Sequence, residues 1–136
     1  MSSNTAKDVV RSFYETDLLN DQEAFSKYLH PEIELYWNSS FGFRKKDFSA
    51  IKIMLEQMAS SFETFRCEIS HILAEENMVT VRYTYFAKTI ENPDKEEAIA
   101  HFISIWELKD GKLYKGYQIS QQGENTSENL ETFILK

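Results

Sequence analysis

The sequence predicts an α+β domain in which helices come first and one antiparallel sheet follows. Two observations predict it. Apolar residues recur at helical spacing through most of the first half, and the period changes to two after Phe62. The second is punctuation: both prolines, Pro31 and Pro93, and the glycines Gly42, Gly111 and Gly123 fall between periodic segments. A long sheet twists and bends, and two or three helices cannot fill its concave side. The expectation is a sheet curled around helices, enclosing a small-molecule-sized pocket.

Thr5 to Asn20 reads as a helix, with Val9, Val10, Phe13, Asp17 and Leu18 at helical spacing and Tyr14 beside Phe13. Asn20-Asp21-Gln22-Glu23 then has the form of a capping box opening a short helix that buries Ala24, Phe25, Tyr28 and Leu29. His30-Pro31 ends it, because the residue before proline is pushed out of the helical region. Glu32 to Trp37 alternates as a strand, with Ile33, Leu35 and Trp37 inward, and Asn38 to Gly42 reads as a loop. Asp47 to Phe62 carries the clearest helical stripe: Ile51, Met54, Leu55, Met58 and Phe62.

Four strands follow in hairpin succession: Phe65–Ala74, Met78–Ile90, Glu97–Leu108 and Leu113–Gln122. On the second, Val79, Val81, Tyr83 and Tyr85 share one face. Lys109-Asp110-Gly111-Lys112 is a strong hairpin turn. Gly123 to Lys136 is a tail, polar and then apolar, that docks or stays loose. The whole reads as one domain over residues 1–136, with its core at about 5–122.

Charge narrows the function. Net charge is −7, and no basic run is longer than Arg44-Lys45-Lys46. A nucleic-acid binder needs a basic face, so nucleic acid and anionic membrane are excluded as main partners. No stretch is apolar enough to span a bilayer, the N-terminus has no signal-peptide h-region, and Cys67 is alone. A reducing cytoplasm is the expected compartment. Aromatic residues make up 14% of the chain, which suits a β-rich core or a lined cavity. His30, His71 and His101 have no metal-ligand spacing, and there is no glycine-rich phosphate loop or CxxC. Neither metal nor cofactor is expected.

Val9-Val10-Arg11-Ser12-Phe13-Tyr14, Asn20-Asp21-Gln22-Glu23-Ala24-Phe25, Leu29-His30-Pro31-Glu32-Ile33 and Trp106-Glu107-Leu108-Lys109-Asp110-Gly111-Lys112-Leu113 together carry a family likeness. The chain resembles the nuclear transport factor 2-like superfamily, which has a cystatin-like fold. That superfamily includes ketosteroid isomerase, scytalone dehydratase, limonene epoxide hydrolase and the SnoaL-like polyketide cyclases. The resemblance implies a cone-shaped α+β domain, a strongly bent antiparallel sheet wrapped on N-terminal helices, an apolar pocket, and homodimers formed through the outer sheet face. Its members divide into enzymes and non-enzymatic binding or assembly modules.

Ketosteroid isomerase has an aspartate base on its first strand and a protonated aspartate on a later one. The matching positions here are Trp37 and Ser104, neither of which can do that work. Related cyclases and epoxide hydrolases carry an acid on the last strand, where this chain has Gln118 or Gln121. Glutamine orients a ligand but does not titrate.

The expected ligand-binding residues are therefore Tyr14 and Gln118 as hydrogen-bonding groups, with Trp37, Met54, Met58, Phe102, Ser104 and Trp106 around them. The aromatics and methionines fit core packing as well as a pocket wall. Tyr114, Gly116, Gln118 and Ser120 share the pocket parity on the last strand; Gly116 leaves space there or marks a bulge. His101 is expected on the outer face with Ile99, Ile103 and Ile105, at an interface or in solvent.

The leading reading is a protein that binds a small apolar or aromatic molecule, with no catalytic acid or base. A cyclase, isomerase or dehydratase is the alternative. It would use Tyr14 and a water, or Glu68 or Glu107 if a β-bulge shifts the parity. A dimerisation module with an idle pocket is the third.

Overall fold

The computed structural model describes residues 2–17, 20–21 and 23–122. Helix α1 (Ser3–Glu15) is followed by α2 (Ala24–Tyr28), β1 (Leu29–Ser39), β2 (Gly42–Lys46), α3 (Phe48–Ser61), β3 (Phe62–Glu75), β4 (Met78–Thr89), β5 (Glu97–Lys109) and β6 (Lys112–Gln122). Leu18, Gln22 and the expected tail at 123–136 lie outside the described residues.

Local chemistry sets the two longer helices. The Ser2 hydroxyl caps α1, accepting from the Thr5 N–H at 3.2 Å. Asp47 caps α3, accepting from the Ala50 N–H at 2.9 Å. The expected capping box at α2 does not form. Glu23 is the N-cap and makes no side-chain cap bond. Instead Asp21 accepts from the Glu23 N–H at 3.1 Å.

The expected loop after Trp37 is mostly strand. β1 runs on to Ser39, and Gly42, at φ 103°, turns the chain into β2. At the other tight hairpin, Asp110 and Gly111 take φ values of 55° and 74°, the positive pair a two-residue turn requires.

The six strands lie in the order β2-β1-β6-β5-β4-β3. Four neighbouring pairs are antiparallel, but β1 runs parallel to β6, so the sheet is mixed. This corrects the expectation of an antiparallel, strongly bent cone. Edges β2 and β3 do not pair with each other, and the sheet is neither closed nor strongly curled. The reason lies in connectivity. Hairpins set the direction of each strand from β3 to β6, whereas β1 meets β6 only after most of the chain has intervened and no turn dictates its sense.

Helices, rather than curvature, build the enclosure. α3 connects one sheet edge to the other, so it must cross a face of the sheet. Its 14 residues span about 21 Å. Six strands span about 24 Å from edge to edge. Helix α1 packs over β3 and β4, and α2 over β1 and β6. Val10, Phe25, Leu29, Ile33, Val79, Val81 and Leu113 are fully or nearly fully buried between these layers.

Candidate functional site

Strand register brings the pocket residues into rows. Trp37 pairs with Gln118, Gln118 with Ser104, and Ser104 with Val81. Leu35 pairs with Gly116, Gly116 with Trp106, and Trp106 with Val79. Ser120 pairs with Phe102, and Phe102 with Tyr83. These rows form the floor of a cavity of about 520 Å³, with Tyr14 of α1 and Ile51, Met54, Leu55 and Met58 of α3 among the residues opposite.

Seven of the expected site residues line this cavity: Tyr14, Trp37, Met54, Met58, Phe102, Trp106 and Gln118. Ser104 lies beneath it, fully buried. Two of the residues that resemblance matched to catalytic acids, Ser104 and Gln118, thus sit together in an uncharged network, and Trp37 pairs with Gln118 in register. The Trp106 indole N–H donates to the Tyr14 hydroxyl at 2.8 Å. The Tyr14 hydroxyl donates to that of Tyr83 at 3.1 Å. Tyr83 and Ser104 both donate to Gln118 Oε1, at 3.2 and 2.9 Å, and their own oxygens are 2.8 Å apart.

Every hydroxyl and indole proton in this chain is used, which leaves one donor group. Gln118 Nε2 has no partner among the described residues, yet no buried side-chain nitrogen or oxygen is unsatisfied. The amide N–H group therefore opens on the cavity. The Tyr85 hydroxyl does the same by that argument.

Burial decides the protonation of these groups. It pushes the Tyr14 hydroxyl up to about 12, against hydrogen bonding with Tyr83, Trp106 and Ser104 that pulls it down. Burial likewise holds Tyr83 and Tyr85 well above the ordinary tyrosine value. All three are neutral donors at physiological pH, not bases. The described lining includes no aspartate, glutamate, histidine or cysteine. Its charged members are Arg44 and Lys46, both from β2.

Sequence reasoning missed Tyr83, Tyr85, Phe65, Phe13 and the β2 cations. Tyr83 stacks on Phe102 with centroids 5.1 Å apart and planes 2° from parallel, and Tyr85 meets both rings edge-on. The alternation Val79, Val81, Tyr83, Tyr85 already put these tyrosines on one face. What it lacked was the register tying that face to Phe102 and Ser104.

Several expectations change. His101 is buried rather than at an interface or in solvent, and its Nδ1 lies 2.7 Å from the Thr84 hydroxyl. Burial lowers its pKa, helped by Arg82. Ile99 lines the cavity, because the bulge opposite Tyr85 and Phe86 shifts the parity at this end of β5. Gly116 marks neither a gap nor a bulge. A Cβ there would lie 2.7 Å from Trp106 Cη2, so the indole fills the room the glycine leaves.

Tyr114 packs edge-on against His30, away from the cavity lining. Glu68 pairs with Arg66 at 3.1 Å, and neither it nor Glu107 lines the cavity despite bulges beside both. The half-buried Cys67 thiol is pushed up by burial. His30 Nε2 lies 3.4 Å from the exposed Asp110, near the β5–β6 turn and outside the cavity lining.

A SnoaL-like domain is matched over residues 10–115. The chain belongs to the SnoaL-like family. No curated protein matches it, but solved structures do. IdmH of Streptomyces antibioticus, provisionally described as a polyketide cyclase, superimposes with a TM-score of 0.68 at 13% identity, covering 85% of this chain and 91% of that one. An epoxide hydrolase of Mycobacterium tuberculosis, described as LEH-like, gives 0.67 at 14% identity, covering 96% and 90%. An NTF2-like protein of unknown function from Burkholderia pseudomallei gives 0.63 at 13%, covering 99% and 100%. At these identities the likeness establishes the fold alone. No helix among the described residues is long and apolar enough to cross a membrane.

Proposed function

We propose that this SnoaL-like chain takes up a small, mostly apolar, ring-bearing carbonyl compound and promotes its ring closure or isomerisation by orientation and hydrogen bonding. One observation carries the reading: an aromatic-walled cavity whose floor is a neutral hydrogen-bond chain ending in the open amide of Gln118. That N–H group would hold a substrate carbonyl and oppose the negative charge that grows on it when a neighbouring carbon loses a proton. The described lining has no carboxylate or imidazole to take that proton, so a water would carry it. Holding two ends of one flexible molecule together is itself worth a large rate gain. The enzyme names of similar folds support turnover as the leading reading.

Tyr14 acts through Gln118, by way of Tyr83, and keeps the amide oxygen facing the protein. The walls would be Trp37, Met54, Met58, Phe102 and Trp106, with Ser104 supporting Gln118 from below. The test is a panel of aromatic ketones followed by product analysis, with wild type beside Gln118→Leu. Loss of a hydrogen bond to a neutral group predicts roughly a tenfold fall in affinity or rate. Unchanged binding and turnover in Gln118→Leu would remove the role given to this residue.

Binding without turnover is the second reading, favoured by the lack of an acid or base in the described lining. It predicts saturable binding and no product. On the outer face, exposed Ile103, Ile105, Tyr117 and Ile119 lie opposite one another on β5 and β6 and would pair two copies as a homodimer. We place the whole chain in a single domain working in the cytoplasm, where a lone thiol such as Cys67 stays reduced.

A further inference from the structure

The charge on the cavity lining runs against the charge of the chain. Net charge is −7, yet the charged residues of the described lining, Arg44 and Lys46, are both cations. Period two puts them there: they alternate along β2 with Lys45, whose ammonium lies 5.5 Å from the Tyr36 ring centroid. Register confirms the face, since Arg44 pairs with Trp37 and Lys46 with Leu35, and all four line the cavity. Neither cation is in an ion pair with a described residue. Arg44 satisfies one N–H on the neighbouring Phe43 carbonyl at 3.0 Å, and Lys46 is half-buried.

A hydrophobic wall beside two cations that have no ion-pair partner among the described residues favours an anionic guest. Low-dielectric walls focus the field of the two charges along the opening, and a guanidinium is built to take a carboxylate by two parallel hydrogen bonds. Arg44, Trp37 and Gln118 occupy one row across three adjacent strands, with about 10 Å between the backbones at its two ends. We infer that the compound held here carries an anionic group, a carboxylate or an ionised enol, which Arg44 and Lys46 grip at the mouth while its apolar body lies inward along Trp37. This inference rests on the small-molecule reading above and names its substrate class.

Titration calorimetry with two probes of one shape tests it: 2-naphthoate, which is anionic, and 2-acetonaphthone, which is neutral. Naphthoate binds more tightly at low salt, and added salt erodes that advantage. Arg44→Gln with Lys46→Gln weakens naphthoate about three- to tenfold, the scale of two partly exposed pairs, and leaves acetonaphthone unchanged. Lys45→Gln, on the opposite face of the same strand, leaves both unchanged. The neutral probe doubles as the check that the double variant is folded. Acetonaphthone binding as well as naphthoate, or Lys45→Gln costing as much as the double variant, overturns the anion inference and leaves the pocket reading standing. Binding of neither probe removes the pocket reading and this inference with it.

Discussion

A methyl group at position 116 would disturb the pocket more than most surface substitutions. The Trp106 ring lies where that group would go, and Trp106 is also the donor that starts the hydrogen-bond chain through Tyr14. Gly116→Ala therefore forces the indole aside. The expected cost is about 1–3 kcal/mol by denaturant unfolding, with a change in tryptophan emission. A variant as stable as wild type would show that the indole moves freely. Tyr14 ties stability to alkaline pH. Its folded value, about 12, lies above its ordinary value of 10.0, so folding favours the protonated form. That stability is complete below pH 10 and is lost as pH climbs through 12, at about 1.4 kcal/mol per unit. Urea midpoints at pH 9, 10 and 11 check this, and Tyr14→Phe flattens the slope. The raised values of Tyr83 and Tyr85 act in the same sense, so some slope survives in that variant.

Among elements, α3 depends most visibly on one side chain. Asp47 supplies its N-cap, and the helix carries Ile51, Met54, Leu55 and Met58 into the cavity wall. Asp47→Ala is expected to cost about 1 kcal/mol, and Asp47→Asn to restore most of it, because asparagine caps nearly as well. An equal loss in both variants would show that the carboxylate matters for charge rather than for the cap. Helix α3 was legible because its apolar stripe and its cap agree. β2 was not, because Gly42-Phe43-Arg44-Lys45-Lys46 is charged on both faces and has no alternation to read. Its strand character comes from pairing with β1, a tertiary cause. The mouth cations were missed for the same reason. Floor residues such as Gln118 and Trp106 were readable from period two, whereas Ile99 was misplaced by a bulge that period two cannot foresee, and the burial of His101 beside Thr84 depends on a neighbouring strand.

For the whole molecule, the sequence conveyed the element types other than β2 and the presence of a cavity but not the sense of the sheet. Alternation says which face a residue occupies and is silent on which neighbour a strand finds. The outer face supplies a test at this scale. Ile119 is 68% exposed and lies opposite Ile103 on the neighbouring strand, so Ile119→Glu is expected to convert a homodimer to monomer in sedimentation at micromolar concentration. Wild-type protein that sediments only as monomer would dispose of the dimer.

The parallel union of β1 with β6 has a temporal consequence. Trp37 and its hydrogen-bonded partner Ser120 are separated by most of the chain, so the site's two sides meet only after the final strand has been synthesised. A nascent chain still lacking β6 can make its hairpins, whose contacts are close in sequence, but has no finished receptacle for a ligand. In refolding, the Trp37 signal should accordingly mature with the slowest phase, after the β3–β4 hairpin is protected from hydrogen exchange.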